Sequence, residues 1–319
     1  MTFEVRLTAY ERPELLRRAI DSLRAQTYPK WRAVVMDDSR SICVSEVVAA
    51  IGDKRVSYVR NAERLGAAAN IDQCFAPDSR SGCTYACLLE DDNYWLPGFL
   101  GSLAATLGER PWDLVLANQR IDDERVGLRP LSETTRGDWF GKGGVVEPID
   151  LKASLLLMEG LSNGGLVWRL GAGIDLRVGA SVQEAGLHEA CRSLLVDRPF
   201  LFIAEPYPVW TRMPKERSAR ICESNRVINR GMQSIRDTVI RMHGSDLVAR
   251  ARRIAQRTRL EANLVEALAY SGWPAMAGDW LRGHQVQAGR AALKGLALRI
   301  VQPDPCAAFI KSVNHSVSS

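Results

Sequence analysis

The stretch LLEDDNYWLPGFL, residues 88–100, carries an apolar run into three consecutive carboxylates, Glu90, Asp91 and Asp92. Charges placed so close repel one another, and partial burial raises the cost. Either the cluster is solvated at a loop, or something positive normally occupies it. A divalent cation held by carboxylate is one such partner, and it would in turn neutralise a phosphorylated ligand. A second acidic pair, Asp37 and Asp38, ends WRAVVMDDS, and the polar residues Thr8, Tyr10 and Arg12 end FEVRLTAYER. The seven cysteines form no CxxC pair, and Cys83 and Cys87 have no nearby histidine. They read as small apolar fillers in a reducing compartment rather than as a zinc site or a disulfide framework.

These side chains need elements to hold them. The first 120 residues alternate strand and helix. FEVRLTAY alternates apolar and polar residues and reads as a first strand; PELLRRAIDSLRAQ is a helix with Pro13 at its first position and Leu15, Leu16, Ala19, Ile20 and Leu23 on one face. WRAVVMDDS, RVSYVRN, YACLLEDD and DLVLANQ supply further strands, and VSEVVAAIG, LGAAANIDQCFA and PGFLGSLAATLG the helices between them, the last opened by Pro97. Such alternation implies a mainly parallel sheet with helices on both faces. Ligands bind outside the carboxyl ends of strands in these sheets. Thr8–Arg12, Asp37–Ser39 and Glu90–Asn93 therefore share one rim.

Beyond residue 120 the pattern loosens into glycine-bearing loops and an irregular hairpin. It then resumes with a helix at DLKASLLLME, a strand at GGLVWRL, a helix at LHEACRSLLVD and an extended PFLFIAEPYPVWTRMP. After about residue 218 only amphipathic helices are expected, three or four of them. No internal repeat stands out.

With 319 residues, 46% hydrophobic and 25% charged, the chain has the make-up of a globular protein of one large or two ordinary domains. No run is apolar enough to span a bilayer, and the amino terminus lacks the apolar core of a signal peptide, so a cytoplasmic location is expected. The net charge of +5 is unevenly spread. Residues 1–211 hold 24 Lys and Arg against 29 Asp and Glu; residues 212–319 hold 18 against 8. The basic tail suits acceptor docking, a homodimer contact or peripheral contact with the inner membrane face. No nucleic-acid motif accompanies it.

TAYERPELLRRAIDSLRAQTYPKWRAVVMDDS resembles the opening of family 2 glycosyltransferases with the GT-A fold. There a strand ending in Thr-x-Tyr/Phe-Asn-Arg precedes a helix ending in Gln-Thr-Tyr and a strand ending in Asp-Asp-x-Ser. Thr8, Tyr10, Arg12, Gln26, Thr27, Tyr28, Asp37, Asp38 and Ser39 are the matching residues. RNAERLGAAANIDQCF and LLEDDNYWLPGFL resemble the next two segments, the second being the DxD region. The resemblance covers residues 3–212. It implies a catalytic domain over 1–217 with a helical domain at 218–319, and an inverting transfer of sugar from a nucleoside-diphosphate sugar, of UDP or dTDP type, to a glycan, peptide or small-molecule acceptor.

The resemblance also assigns residues. Asp92 is the implied ligand of Mn2+ or Mg2+, and Asp91 an acceptor for ribose or sugar hydroxyls. Asp38 would meet the imide N–H of the base, with Thr8 and Tyr10 as walls and Arg12 and Arg64 nearby. The general base falls in SVQEAGLHEACRSLL, where this chain departs from the family's Glu-Asp pair; Glu184 is the first choice, with Glu189 and His188 as alternates. GLSNGG, residues 160–165, would shape the sugar pocket, and Trp139 and Phe140 could form an aromatic platform. Met213 stands where many members have a histidine, so Arg212, Lys215 and Arg217 would supply the positive charge.

Two other enzyme classes are excluded. A nucleotidyltransferase or a nicotinamide-dependent dehydrogenase needs a glycine-rich loop after the first strand, and AYERPELL has no glycine. A non-catalytic nucleotide-sugar or glycan binder on a degenerate GT-A fold is the remaining alternative, given the unusual base region.

Overall fold

The computed structural model describes residues 1–125, 127–137, 139–158, 160–214 and 225–318. The expected βα alternation is present as β1 (Phe3–Ala9), α1 (Pro13–Arg24), β2 (Trp31–Asp37), α2 (Cys43–Ile51), β3 (Val56–Arg60), α3 (Ala67–Asp72) and β4 (Tyr85–Glu90). It continues through β5 (Tyr94–Trp95), α4 (Phe99–Glu109), β6 (Leu114–Ala117), β7 (Arg120–Asp123), β8 (Arg129–Thr134) and β9 (Gly144–Val146). Next come α5 (Pro148–Ser154), β10 (Leu166–Arg169), α6 (Ala185–Leu195), β11 (Phe200–Ile203) and β12 (Pro208–Arg212). The tail is helical: α7 (Asn225–Thr258), broken at Gly244, then α8 (Glu261–Tyr270), α9 (Gln285–Val301) and α10 (Ala307–Ser318).

The main sheet runs in the order β3-β2-β1-β4-β10-β6-β11-β9. Strands β1 to β4 are mutually parallel; β10 enters antiparallel between β4 and β6. A smaller sheet, β5-β12-β7-β8, forms beside it. The extended stretch 200–212 is thus divided between two sheets, and two residues after the acidic cluster form a short strand. Pro97 does not open α4. Gly98 caps that helix, and Pro97 and Leu96 give their carbonyls to Thr27 and Gln26.

Strand β1 is buried at every position, because helices cover both faces of the sheet. Phe3, Val5 and Leu7 pack with Leu16, Ile20 and Leu23 of α1 and with Leu100 and Leu103 of α4. The intervening polar residues are buried too, so their alternation does not mark a solvent face. Glu4 and Arg6, both 0% exposed, pair at 2.7 Å. Arg6 also donates to the carbonyls of Cys74, Ala76 and Asp78, while Glu4 accepts from Ser79, the Arg80 N–H and Ser81. Burial works against the Glu4 charge, but Ser81 and Arg6 together hold its carboxyl below the ordinary range. The pair pins the 74–81 segment to the sheet.

The tail does not stand apart from the sheet. Leu187, Ala190, Cys191 and Leu194 of α6 join Met232, Ile235, Val239, Leu264 and Phe309 in one core. The expected boundary at 217/218 lies outside the described residues. No helix among the described residues is long and apolar enough to cross a membrane.

Replacing Arg6 by Met would leave Glu4 buried without its counter-charge. The expected loss is about 3–5 kcal/mol of unfolding free energy, measured by urea denaturation; a loss below about 1 kcal/mol would mean that the pair is dispensable.

Candidate active site

The parallel register aligns Thr8 with Met36 and Glu90, and Ala9 with Asp37. The ends of β1, β2 and β4 therefore open on one rim, as do Asn118 and Gln119 at the end of β6, which runs parallel to β4 through β10. Across this rim Arg12 reaches the acidic cluster. It donates through Nη2 to Asp91 Oδ1, through Nε to Asp91 Oδ2 at 3.1 Å, and through Nη1 to Asp92 Oδ2 at 2.8 Å. The Tyr10 N–H adds a bond to Asp91 at 3.3 Å. Burial pushes the Asp91 carboxyl up, Arg12 pulls it back, and the Asp92 charge adds to the rise. Burial likewise opposes the Arg12 charge, and the two carboxylates more than restore it.

This geometry divides the cluster. Asp91 is 1% exposed with both oxygens engaged, so it anchors the 8–12 segment and does not face a ribose from solvent in this state. The Asp92 side chain is 24% exposed, and Arg18 Nη2 fixes its backbone carbonyl at 2.6 Å. Among the described residues no group of three His, Cys, Asp or Glu side chains is placed to hold a metal. Mg2+ and ions like it commonly take only one or two protein carboxylates, with the rest of the shell from water and substrate phosphate. One partly exposed carboxylate at Asp92 fits that arrangement, provided that a diphosphate supplies the remaining oxygens and Arg12 gives up its bond to Asp92.

Opposite the cluster lies the glycine turn Asn163–Gly165. A Cβ on Gly164 would sit 2.9 Å from Gln119 Nε2 and 3.7 Å from Glu90 Oε2, and one on Gly165 would sit 2.3 Å from the Ala117 carbonyl. Only glycine permits that approach. The Asn163 N–H donates to Glu189 Oε1 at 2.9 Å, and Asn163 Oδ1 accepts from Arg192. Arg192 is wholly buried, bonded to the Leu176 carbonyl and Asp72 and stacked 3.7 Å from the Phe75 ring centroid. Glu189 thus holds one side of a turn whose Gly164 faces Glu90. Glu90 itself accepts from Asn93 Nδ2, and Asn93 Oδ1 accepts from the Thr211 N–H.

At the other end of the rim, Asp38 accepts from Asn61 Nδ2, the Leu65 N–H and the Gly66 N–H at 2.7–2.9 Å. Three of its roughly four acceptor positions are filled, which leaves room for one further donor. Arg64 lies over the Tyr10 ring at 5.0 Å, and Thr8 is 7% exposed. Glu11, where the resembled motif has Asn, takes φ +50°, a conformation Asn tolerates better. Bonds from Ser41 and Arg40 secure it and hold its carboxyl at about 2.

Other expected residues are not gathered here. His188 is 2% exposed; its Nε2 meets the Val182 carbonyl, its Nδ1 lies 3.7 Å from Asp72, and burial lowers its pKa. Glu184 caps α6 from an extended backbone without a side-chain capping bond. The Thr211 N–H of β12 donates to Asn93, and Arg212 lies over the Trp210 ring at 6.0 Å. Phe140 packs edge-on against Phe200 and Phe202, so it is core and not a sugar platform, and Trp139 is half-buried against the tail's core. Lys215 and Arg217 lie outside the described residues. Gln119 and Thr211 were not anticipated, and Asn163 was expected only as part of the GLSNGG loop. Among the described residues Gln119 Oε1 and Thr211 Oγ1 are buried without a partner. The rim rule applied to β6 would have found Gln119; no sequence signal marked Thr211.

A sheet of this order, with an acidic loop after β4 facing a glycine turn, defines the GT-A class of glycosyltransferase folds. Residues 5–153, a little under half of the chain, match the model of Glycosyl transferase family 2. No curated protein matches in sequence. Among solved structures, S. aureus TarS 1–349 superposes with TM-score 0.55 at 14% identity, covering 92% of this chain and 89% of that one; its complex with UDP-GlcNAc gives the same values. Full-length S. aureus TarS gives 0.54, with 54% of that chain covered. At this identity the likeness concerns the fold.

Asp38→Asn would set an amide N–H2 against the Leu65 and Gly66 donors. Hydrogen exchange at those two amides is expected to quicken by the equivalent of about 1–3 kcal/mol, with the tail's core unchanged; unchanged exchange at Leu65 and Gly66 would show that Asp38 does not hold this segment.

Proposed function

We propose that the chain is an inverting glycosyltransferase that moves a sugar from a nucleoside-diphosphate sugar to an acceptor hydroxyl. The carrying observation is that the glycine turn Asn163–Gly165 meets Glu90 of the acidic cluster on one side and Glu189 on the other, with the partly exposed Asp92 two residues beyond Glu90. The match of residues 5–153 to the family 2 model supports the reading, as does a fold neighbour crystallised with UDP-GlcNAc. Tyr10, Arg64 and Thr8 would wall the base and ribose, and the spare acceptor position of Asp38 would take the imide N–H of a uracil or thymine ring. Arg12 keeps the rim from accumulating uncompensated negative charge before the diphosphate arrives.

Glu189 is assigned as the general base in preference to Glu184 and His188. Its carboxylate is held toward the rim by the Asn163 N–H, whereas His188 is buried among Val182 and Asp72. Glu189 takes the proton of the acceptor hydroxyl as that oxygen bonds to the anomeric carbon. The bond from that carbon to the diphosphate breaks on the opposite face, and the nucleoside diphosphate leaves with the electron pair. Asp92 would hold Mn2+ or Mg2+, which when bound would supply a Lewis acid for the leaving charge. The acceptor class, glycan, peptide or small molecule, follows from the family alone.

Glu189→Gln should lower kcat about 10²–10⁴-fold with little change in KM, and Glu184→Gln should stay near wild type, in a transfer assay across a panel of nucleotide sugars. The reverse pattern would assign the base to Glu184. Independently, titration calorimetry should show UDP binding that strengthens with Mn2+ in the wild type and is indifferent to Mn2+ in Asp92→Ala; metal-enhanced binding that survives in the variant would remove Asp92 as ligand.

A further inference from the structure

Helix α9 has two apolar faces, and the structure covers one. Ala288, Ala291, Gly295 and Leu298 are buried, and the lack of a side chain at Gly295 lets the helix lie close on the Tyr270 carbonyl of α8. At about 100° per residue, Val286, Leu293, Leu296 and Ile300 fall on the opposite side, with Gly289 and Ala297 between them. They are 71, 70, 59 and 77% exposed, and Val301 beside them is 67% exposed. Half of the large hydrophobic side chains exposed among the described residues thus belong to this one helix. Scattered apolar residues need no explanation; a continuous stripe on one helix does.

The charges beside the stripe select its occupant. Residues 285–301 contain no Asp or Glu, and Arg290 and Lys294 lie along one flank of the apolar side. Arg299 lies on the other flank, anchored by its bond to the Ser271 carbonyl. From residue 271 onward the acids are Asp279, paired with Arg282, and Asp304, bonded to Ser234 and facing Arg230. Glu266 of α8, bonded to Gln287, is the carboxylate beside this flank, and a second copy docked stripe to stripe would still bring Arg290 and Lys294 of each copy against their own kind with more cations than carboxylates between them. An anionic bilayer surface accepts both features: the headgroup and acyl boundary takes the apolar stripe, and lipid phosphates take the cations.

We infer that α9 docks the protein on anionic membranes, lying flat in the interface. This inference is independent of the transferase chemistry, since none of its residues belongs to the rim. Co-sedimentation of the full chain would use vesicles of phosphatidylcholine alone and of phosphatidylcholine with phosphatidylglycerol. Binding is expected only to the second, weakened by high salt. Leu293→Ser with Ile300→Ser, and separately Arg290→Glu with Lys294→Glu, should each weaken it at least about tenfold, with unchanged circular dichroism and melting temperature. Absence of binding to anionic vesicles, or binding that survives both double variants, overturns the inference. So does light scattering that shows a dimer in solution dissociated by Leu293→Ser with Ile300→Ser, because the stripe would then be a contact between copies.

Discussion

The rim depends on Arg12. Three adjacent carboxylates at the end of a buried strand would repel each other and the protein interior, and the β4 loop could not hold its place on those terms. One guanidinium, reaching from the end of β1 to both Asp91 and Asp92, resolves the conflict. Its planar fork matches two carboxylates at once, which the point charge of a lysine would not do. Arg18 then fixes the Asp92 carbonyl from the next turn of α1. Helix, strand end and acidic loop become one unit, and of the three acids Asp92 is left accessible while still tethered.

The same economy of charge recurs beneath the site. Arg6 neutralises Glu4 within β1, and Arg192 neutralises Asp72 under the glycine turn. Arg6 satisfies its remaining donors on backbone carbonyls, and Arg192 on the Leu176 carbonyl and Asn163 Oδ1, so in each case a loop is fixed as the charge is neutralised. Burial lowers the Arg192 pKa, and Asp72 counters that. Through Asn163 Oδ1, Arg192 also orients the N–H that meets Glu189. The position of Glu189, the proposed base, therefore rests on a buried ion pair.

Sequence periodicity was enough for the alternating half of the sheet. The apolar face of α1, the strand ends and the rim follow from local spacing, and Leu16, Ala19, Ile20 and Leu23 are buried as the helical period requires. What local spacing cannot carry is pairing at a distance. Strand β10 inserts antiparallel between β4 and β6, and β5 finds β12 more than 110 residues away. Alternation in β1 was legible as strand but silent on whether Glu4 and Arg6 met water or each other. Glu184 and Glu189 are five residues apart and look alike in sequence; the Asn163 N–H that distinguishes them comes from a different loop.

Helix α6 is where the two oppositely charged regions of the chain become mechanically one. Its Leu187, Ala190, Cys191 and Leu194 lie in a core with Met232, Ile235 and Val239, and Cys191 approaches Cys306 to 3.8 Å as a free thiol. Its Glu189 and Arg192 hold the glycine turn at the rim. A helix packed this tightly cannot shift on one side and stay still on the other, because close-packed interiors transmit displacement. The tail is therefore a structural foundation for α6, and the change of net charge along the chain does not coincide with a break in this core.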